Sequence, residues 1–369
     1  MITISLCMIV KNEEHTLERC LSSVSRAVDQ IIIVDTGSTD GTRETARKFT
    51  DDIHFFDWID DFSAARNFSF SLATCEYVLW LDADDILQEE DQMKLIRLKE
   101  SLDPRTDSVT MPYHLGSDPY GNVTVQLRRN RLVKRSRGFR WIGAVHEYLE
   151  VSGRIVDSDI AVTHRGDDRN RDRNLNIYLR KLSQKMEFTP RDTYYFANEL
   201  MDHHLYEMAM FYYEKFLNEG CGWVEDNIAA CGKLADCYHA LGNRSKELLY
   251  TLKSLEYGKP RPEFCCRLGF RYMEQADWET AIFWYRQALE WTAPKSHWGI
   301  SNQSYATWLP HLQLCVCYDK LGQYETAYEH NEAARHYQPE HPSVLGNKTY
   351  LESRLKRNDI PPRESISDD

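Results

Sequence analysis

Two different spacings of apolar residues divide this chain. Over roughly the first hundred residues, short β-branched runs alternate with segments whose apolar positions recur every three to four residues. Thr3 to Val10 predicts a buried strand, and Leu17, Cys20, Leu21 and Val24 mark the helix that follows. Gln30 to Val34 predicts a second strand, stopped by the turn and cap chemistry of Asp35-Thr36-Gly37-Ser38-Thr39-Asp40-Gly41-Thr42, which opens a helix holding Thr45, Ala46 and Phe49. Ile53 to Phe56 reads as a third strand and Phe62 to Ala73 as a helix. Tyr77 to Leu81 reads as a fourth strand, ending in Asp82-Ala83-Asp84-Asp85. Strands alternating with helices predict an α/β domain with a mostly parallel sheet covered on both faces. In such sheets ligands gather beyond the carboxyl ends of the strands, where these polar clusters lie.

Between residues 103 and 165 the pattern changes to short strand-like runs: Val109 to Tyr113, Val123 to Arg128, Leu132 to Lys134 and Ile155 to His164. From about residue 190 it becomes helical. Leu268-Gly269, Tyr272, Ala281, Tyr285 and Ala288 have the offsets of a tetratricopeptide repeat, and Leu314, Tyr318, Ala327, Ala334 and Pro339 reproduce them. Leu234-Ala235 and Tyr238 give a weaker copy, and Phe196-Ala197, Leu200, Ala209 and Tyr213 a degenerate one. Leu234 and Leu268 stand 34 residues apart, the repeat length; Leu268 and Leu314 stand 46 apart, which places an insertion around Ala293 to Gln303. The predicted organisation is therefore a catalytic domain over 1–187, a repeat domain over 188–355 and a disordered tail over 356–369.

Composition narrows the partners. The 369 residues carry 45 Lys and Arg against 57 Asp and Glu, a net charge of −12 that argues against nucleic acid. No apolar run is long enough for an integral membrane segment, and the first residues lack the pattern of a signal peptide. Ten cysteines without a Cys-x-x-Cys pair read as reduced core thiols, so the expected compartment is the cytoplasm. The dense basic run from Arg128 to Arg140 is either a patch that draws an anionic donor or a solvated loop.

Three carboxylates in four residues, Asp82, Asp84 and Asp85, repel one another after a buried strand unless a cation lies between them. Mg²⁺ or Mn²⁺ with a phosphate-bearing substrate would satisfy that set, and solvated loop carboxylates are the plain alternative. His146 and Glu147 are adjacent candidates for a general base. In extended backbone their side chains point to opposite faces, so only one faces a substrate. Glu147 is favoured here, with structural pairing to an arginine such as Arg140 as the competing role.

Met8 to Glu14, Val34 to Thr42, Asp61-Phe62-Ser63-Ala64-Ala65-Arg66-Asn67 and Trp80 to Asp85, in that order, resemble the signature of family 2 glycosyltransferases. The resemblance implies a GT-A fold, a UDP-sugar donor and a divalent metal. By it Asp35 would bond the nucleotide base, while Val10, Asn12 and Glu14 would line the nucleoside pocket. Arg66 would lie near the base or diphosphate, Asp82 and Ala83 near the ribose, and Asp84 at the metal. A late histidine, His164, would complete the metal site. A family 2 domain joined to tetratricopeptide repeats is similar to the peptide-modifying enzymes of the family, including the sublancin-type S-glycosyltransferases. That likeness implies transfer of a hexose to Cys, Ser or Thr of a peptide or protein held by the repeats. The alternatives are a lipid-linked or envelope saccharide as acceptor, a non-catalytic scaffold, and repeats that serve a homodimer contact instead of a peptide.

Overall fold

The computed structural model describes residues 1–166, 172–292 and 298–358. The chain packs as two compact units. One comprises Met1–Gly116, Gln126–Ala230 and Trp298–Ile300, and the other Ser117–Val125, Cys231–His297 and Ser301–Asp369.

In the first unit the elements are β1 (Ile4–Val10), α1 (Leu17–Val24), β2 (Gln30–Asp35), α2 (Thr42–Arg47), β3 (Ile53–Phe55), α3 (Phe62–Ser71), β4 (Tyr77–Trp80), β5 (Asp85–Ile86), α4 (Glu89–Ser101), β6 (Ser108–Ser117), β7 (Val123–Lys134), β8 (Arg140–Ile142), β9 (Tyr148–Glu150), β10 (Ile155–Asp157) and β11 (Val162–His164). The sheet order is β3-β2-β1-β4-β7-β6-β11-β5. Strand β1 pairs in parallel with β2 and β4, and β2 with β3, while β7 runs antiparallel to β4 and β5 antiparallel to β11. This is the expected α/β architecture with a mixed, mostly parallel sheet.

Both faces of the sheet are covered, so its central strands are apolar throughout. Ile4, Leu6, Met8 and Val10 of β1 pack with α1 on one side, and Cys7 joins Trp80, Val133 and Trp141 on the other. Ser5, the polar exception, is wholly buried and donates its hydroxyl to Gln30 Oε1 at 2.7 Å.

The middle segment differs from the sequence reading. Val123–Lys134 is one strand, not two runs, because Asn130 is absorbed into the sheet: its carbonyl accepts from Trp80 Nε1 at 2.6 Å and its amide oxygen from Ser108 Oγ at 2.8 Å. Ile155 to His164 is two strands, both beside β6, with residues 158–161 between them. The basic run divides: its first half lies in β7, and Arg135, Arg137 and Arg140 beyond it are exposed. Arg131 is fully buried, Arg128 reaches the Ser158 carbonyl and Lys134 the Pro104 carbonyl.

Ten helices follow: α5 (Asp172–Ser183), α6 (Pro190–Asp202), α7 (Tyr206–Glu219), α8 (Val224–Ala240), α9 (Arg244–Lys253), α10 (Pro262–Glu274), α11 (Trp278–Glu290), α12 (Trp308–Lys320), α13 (Tyr324–Tyr337) and α14 (Pro342–Asn358). The chain passes from the first unit to the second within α8. Repeat positions are buried as their residue types require. Ala281, Ala288, Ala327 and Ala334 are fully covered, and a Cβ on Gly269 would stand 2.7 Å from the Tyr285 ring. All ten cysteines are free thiols and eight are buried, Cys221 being exposed. Burial pushes the thiols of Cys265 and Cys317 up to about 12, which keeps them unreactive.

Helix α5 was not legible from periodicity, since only Ile177 and Tyr178 of it are buried. Helix α14 runs to Asn358, past the point where the tail was expected to lose order; the remainder of that tail, 359–369, lies outside the described residues, as do 293–297 of the insertion. No helix among the described residues is long and apolar enough to cross a membrane.

Candidate active site

Four chain segments meet at the carboxyl ends of β1, β2 and β4. The first joins β1 to α1. There Asn12 adopts a left-handed conformation (φ 57°), donates its backbone N–H to Ser38 Oγ at 3.0 Å and accepts from the Thr39 N–H at 2.8 Å. Glu14 Oε2 accepts from the Gly41 N–H at 2.8 Å, and a Cβ on Gly41 would stand 2.9 Å from that oxygen. The Val10 carbonyl accepts from both the N–H and the hydroxyl of Thr36. Val10, Asn12 and Glu14 thus brace the turn after β2.

Asp35 ends β2 and is almost fully buried. One carboxylate oxygen accepts from the Ser38 N–H at 2.9 Å, and the other is bound by the guanidinium of Arg43 on α2. Sequence reasoning missed Arg43, although its position eight residues beyond Asp35, in the first turn of the helix, was available as a signal.

Helix α3 begins at Asp61, whose carboxylate caps it by accepting from the Ala64 N–H at 3.0 Å. That start fixes two residues further along. Asn67 exchanges two 2.9 Å hydrogen bonds with the backbone of Trp141. Arg66 lies buried between the rings of Trp80 and Trp141, 5.0 and 4.7 Å from their centroids. Its Nε donates to Glu147 Oε1 and its terminal nitrogen to Asp82 Oδ1, each at 2.6 Å. Burial alone would depress the guanidinium's proton affinity; Asp82 and Glu147 override that and hold it more firmly protonated than usual. Burial would likewise raise Asp82, and Arg66 and Arg131 drive it well below the ordinary carboxylate range.

The three carboxylates after β4 do not converge on one point. Asp82 turns to Arg66. Asp85, fully buried, pairs with the equally buried Arg131 at 3.0 Å, and that guanidinium stacks 3.9 Å from the Trp80 ring centroid. Arginines therefore relieve part of the repulsion that the sequence alone suggested a cation must relieve. Ala83 is buried between them. Asp84 instead faces His164, its Oδ1 3.5 Å from Nδ1. Nδ1 also lies 3.9 Å from Asp85 Oδ1 and 3.2 Å from the Tyr113 hydroxyl. The carboxylates of Asp84 and then Asp85 beside it raise the His164 imidazole to about 10.

Ligating atoms of Asp84, Asp85 and His164 all lie within 4.8 Å of one another. Two features fit a hard divalent cation there. Asp85 Oδ1 is buried with no hydrogen-bond partner among the described residues, and a Cβ on Gly166 would come within 2.2 Å of Asp84 Oδ2, so glycine keeps that oxygen clear. Asp85 would join the Asp84 and His164 pair expected from the sequence in holding such an ion.

His146 and Glu147 follow β8 in a turn rather than extended backbone, since His146 has φ 51°. Their side chains still part. Glu147, with its side chain 11% exposed, pairs with Arg66 and not with Arg140. His146 Nε2 lies 2.7 Å from Glu199 Oε1 on α6.

Against this geometry, residues 5–143 match the model of glycosyl transferase family 2. Those residues form a family 2 glycosyl transferase domain. The chain is 41% identical over 135 residues to a TPR repeat-containing protein of Synechococcus elongatus, covering 36% of this chain and 32% of that protein. It is 32% identical over 154 residues to the SPbeta prophage-derived glycosyltransferase SunS of Bacillus subtilis, covering 39% and 34%. It is 35% identical over 89 residues to a glycosyltransferase of Rickettsia conorii, covering 24% and 31%. The chain spans about a third of the length of these relatives.

Proposed function

We propose that this protein is an inverting, metal-dependent glycosyltransferase that moves a hexose from a UDP-sugar to a Cys, Ser or Thr side chain of a peptide or protein. The observation that carries the reading is the cluster of Asp84, Asp85 and His164 at the end of β4, beside Asp82 held by Arg66. The family 2 domain supports glycosyl transfer, the likeness to SunS supports a peptide acceptor, and the helical repeats offer a surface of the kind that holds peptide.

Asp84, Asp85 and His164 would hold Mg²⁺ or Mn²⁺, which when bound supplies positive charge to the donor's two phosphates. Val10, Asn12 and Glu14 keep the Asp35 turn in shape for the nucleoside. By the family likeness Asp82 and Ala83 would lie by the ribose and Asp35 by the base; Asp35 is held here by Ser38 and Arg43, so Arg43 would have to yield one carboxylate oxygen to the base. Arg66 adds fixed positive charge that stabilises the departing diphosphate. The base comes from the His146–Glu147 turn. Free buried thiols and a nucleotide-sugar donor both suit the cytoplasm.

Calorimetry with UDP and Mn²⁺, followed by an assay of UDP release from UDP-glucose, tests the reading. Heat that needs the metal and release that stops in Asp84→Ala are expected. No binding of UDP with either Mn²⁺ or Mg²⁺ would overturn it. Mass spectrometry of peptides encoded beside the gene, after incubation with mixed UDP-sugars, separates a peptide acceptor from a saccharide one.

A further inference from the structure

Two side chains could serve as base, and the fold has treated them in opposite ways. Glu147 is neutralised: its carboxylate lies against a buried arginine that stays protonated. That carboxylate is committed to a buried ion pair, with its Oε1 turned to the arginine that Asp82 also holds.

His146 is arranged differently. Nε2 faces the carboxylate of Glu199, whose side chain is only 9% exposed, at 2.7 Å. A carboxylate accepts, so Nε2 carries the proton and Nδ1 carries the lone pair. Nδ1 has no hydrogen-bond partner among the described residues, and the side chain is 29% exposed. The ring stacks on Tyr195 at 4.3 Å between centroids, with Tyr178 6.4 Å away and nearly parallel. Arg191 Nε grips the His146 carbonyl at 2.9 Å, and Asn174 donates to the same Glu199 oxygen at 3.2 Å. The backbone at His146 takes a left-handed φ of 51°, uncommon for a residue with a side chain. Five residues from α5 and α6 thus fix one imidazole.

We infer that His146, oriented by Glu199 from helix α6, is the general base of the transfer, and that Glu147 serves as the counter-ion of Arg66. The inference rests on the glycosyltransferase reading above and assigns Glu199 as a positioning residue. As the acceptor's sulfur or oxygen forms its bond to the sugar's anomeric carbon, the bond from that carbon to the phosphate oxygen breaks and UDP leaves with the electron pair. The acceptor's proton passes to His146 Nδ1. The resulting imidazolium keeps its Nε2–H on Glu199, whose negative charge offsets it.

The test uses the full chain, UDP-glucose and saturating Mn²⁺, with water as acceptor and UDP release as the readout. Glu199→Gln is expected to slow release about 10- to 100-fold with KM for UDP-glucose unchanged. Glu199→Asp, which keeps a carboxylate on α6, is expected to recover part of that loss. His146→Ala should lose activity and regain part of it with added imidazole. Calorimetry of UDP and Mn²⁺ on each variant reports whether the donor site still folds. Intact donor binding with unslowed release in Glu199→Gln, or no imidazole rescue beside total loss in Glu147→Gln, would overturn the dyad and leave the transferase reading standing. Absence of metal-dependent UDP binding in the unaltered protein would overturn both.

Discussion

Arg66 Nε and Glu147 Oε1 lie 2.6 Å apart, and the same guanidinium reaches Asp82 at the same distance. One arginine on α3 thereby links the loop after β4 to the turn after β8, which the chain separates by 65 residues between Asp82 and Glu147. Removing it as Arg66→Ala leaves two acids in a largely buried setting without their partner. A loss of about 3–5 kcal/mol in unfolding free energy is expected by urea titration. Arg66→Lys should keep the charge but not the two-armed geometry, so it should recover only part of that loss.

Among the described residues Asp84 pairs with His164 and with no arginine. Asp84→Asn should therefore leave thermal stability nearly unchanged while removing Mn²⁺-dependent UDP binding in calorimetry. A variant that binds UDP and Mn²⁺ as well as the unaltered protein would show that the cluster after β4 is not the metal site.

Gly269 touches the face of Tyr285 where a methyl group would stand 2.7 Å from the ring. Gly269→Ala should cost about 1–3 kcal/mol, because the helices α10 and α11 must part to admit it. Differential scanning calorimetry would register a lower Tm, and Tyr285→Leu in the same chain should restore part of the difference by vacating the contact.

His330 and His311 approach with their Nδ1 atoms 2.9 Å apart, while Tyr318 stacks on His330 and Arg286 donates to the Tyr318 hydroxyl. Burial, then His311 and Arg286, lower the His330 imidazole from 6.5 to about 4. The fold therefore prefers the neutral ring, and its contribution is complete above pH 6.5 and is lost as pH falls toward 4. With a discount for partial exposure this is about 2 kcal/mol. Tm measured at pH 7.5, 6 and 4.5 should fall across that window, and His330→Gln should flatten the fall.

Strand and helix alternation over the first hundred residues was legible because those strands are buried on both faces, so their composition alone marks them. Repeat positions were legible for a related reason: only small residues such as Ala281 and Ala327 fit between paired helices. What stayed hidden was pairing over long separations. Nothing in the local pattern links Asp85 to Arg131, Arg66 to Glu147 or His146 to Glu199, since each pair is made by strands and helices brought together only in the fold. The short middle strands were misjudged where a side chain bonds across the sheet, as Asn130 does with Ser108. The candidate site was thus readable as a set of positions, and its wiring was not.

Helix α6 gives the imidazole turn both its carboxylate and its arginine, so the boundary of the matched family domain at residue 143 is not a safe place to cut. A shortened chain that stops before residue 190 would retain every signature motif yet lose Glu199 and Arg191. For anyone grafting this catalytic module onto other repeats, the smallest portable piece includes the first helices of the array.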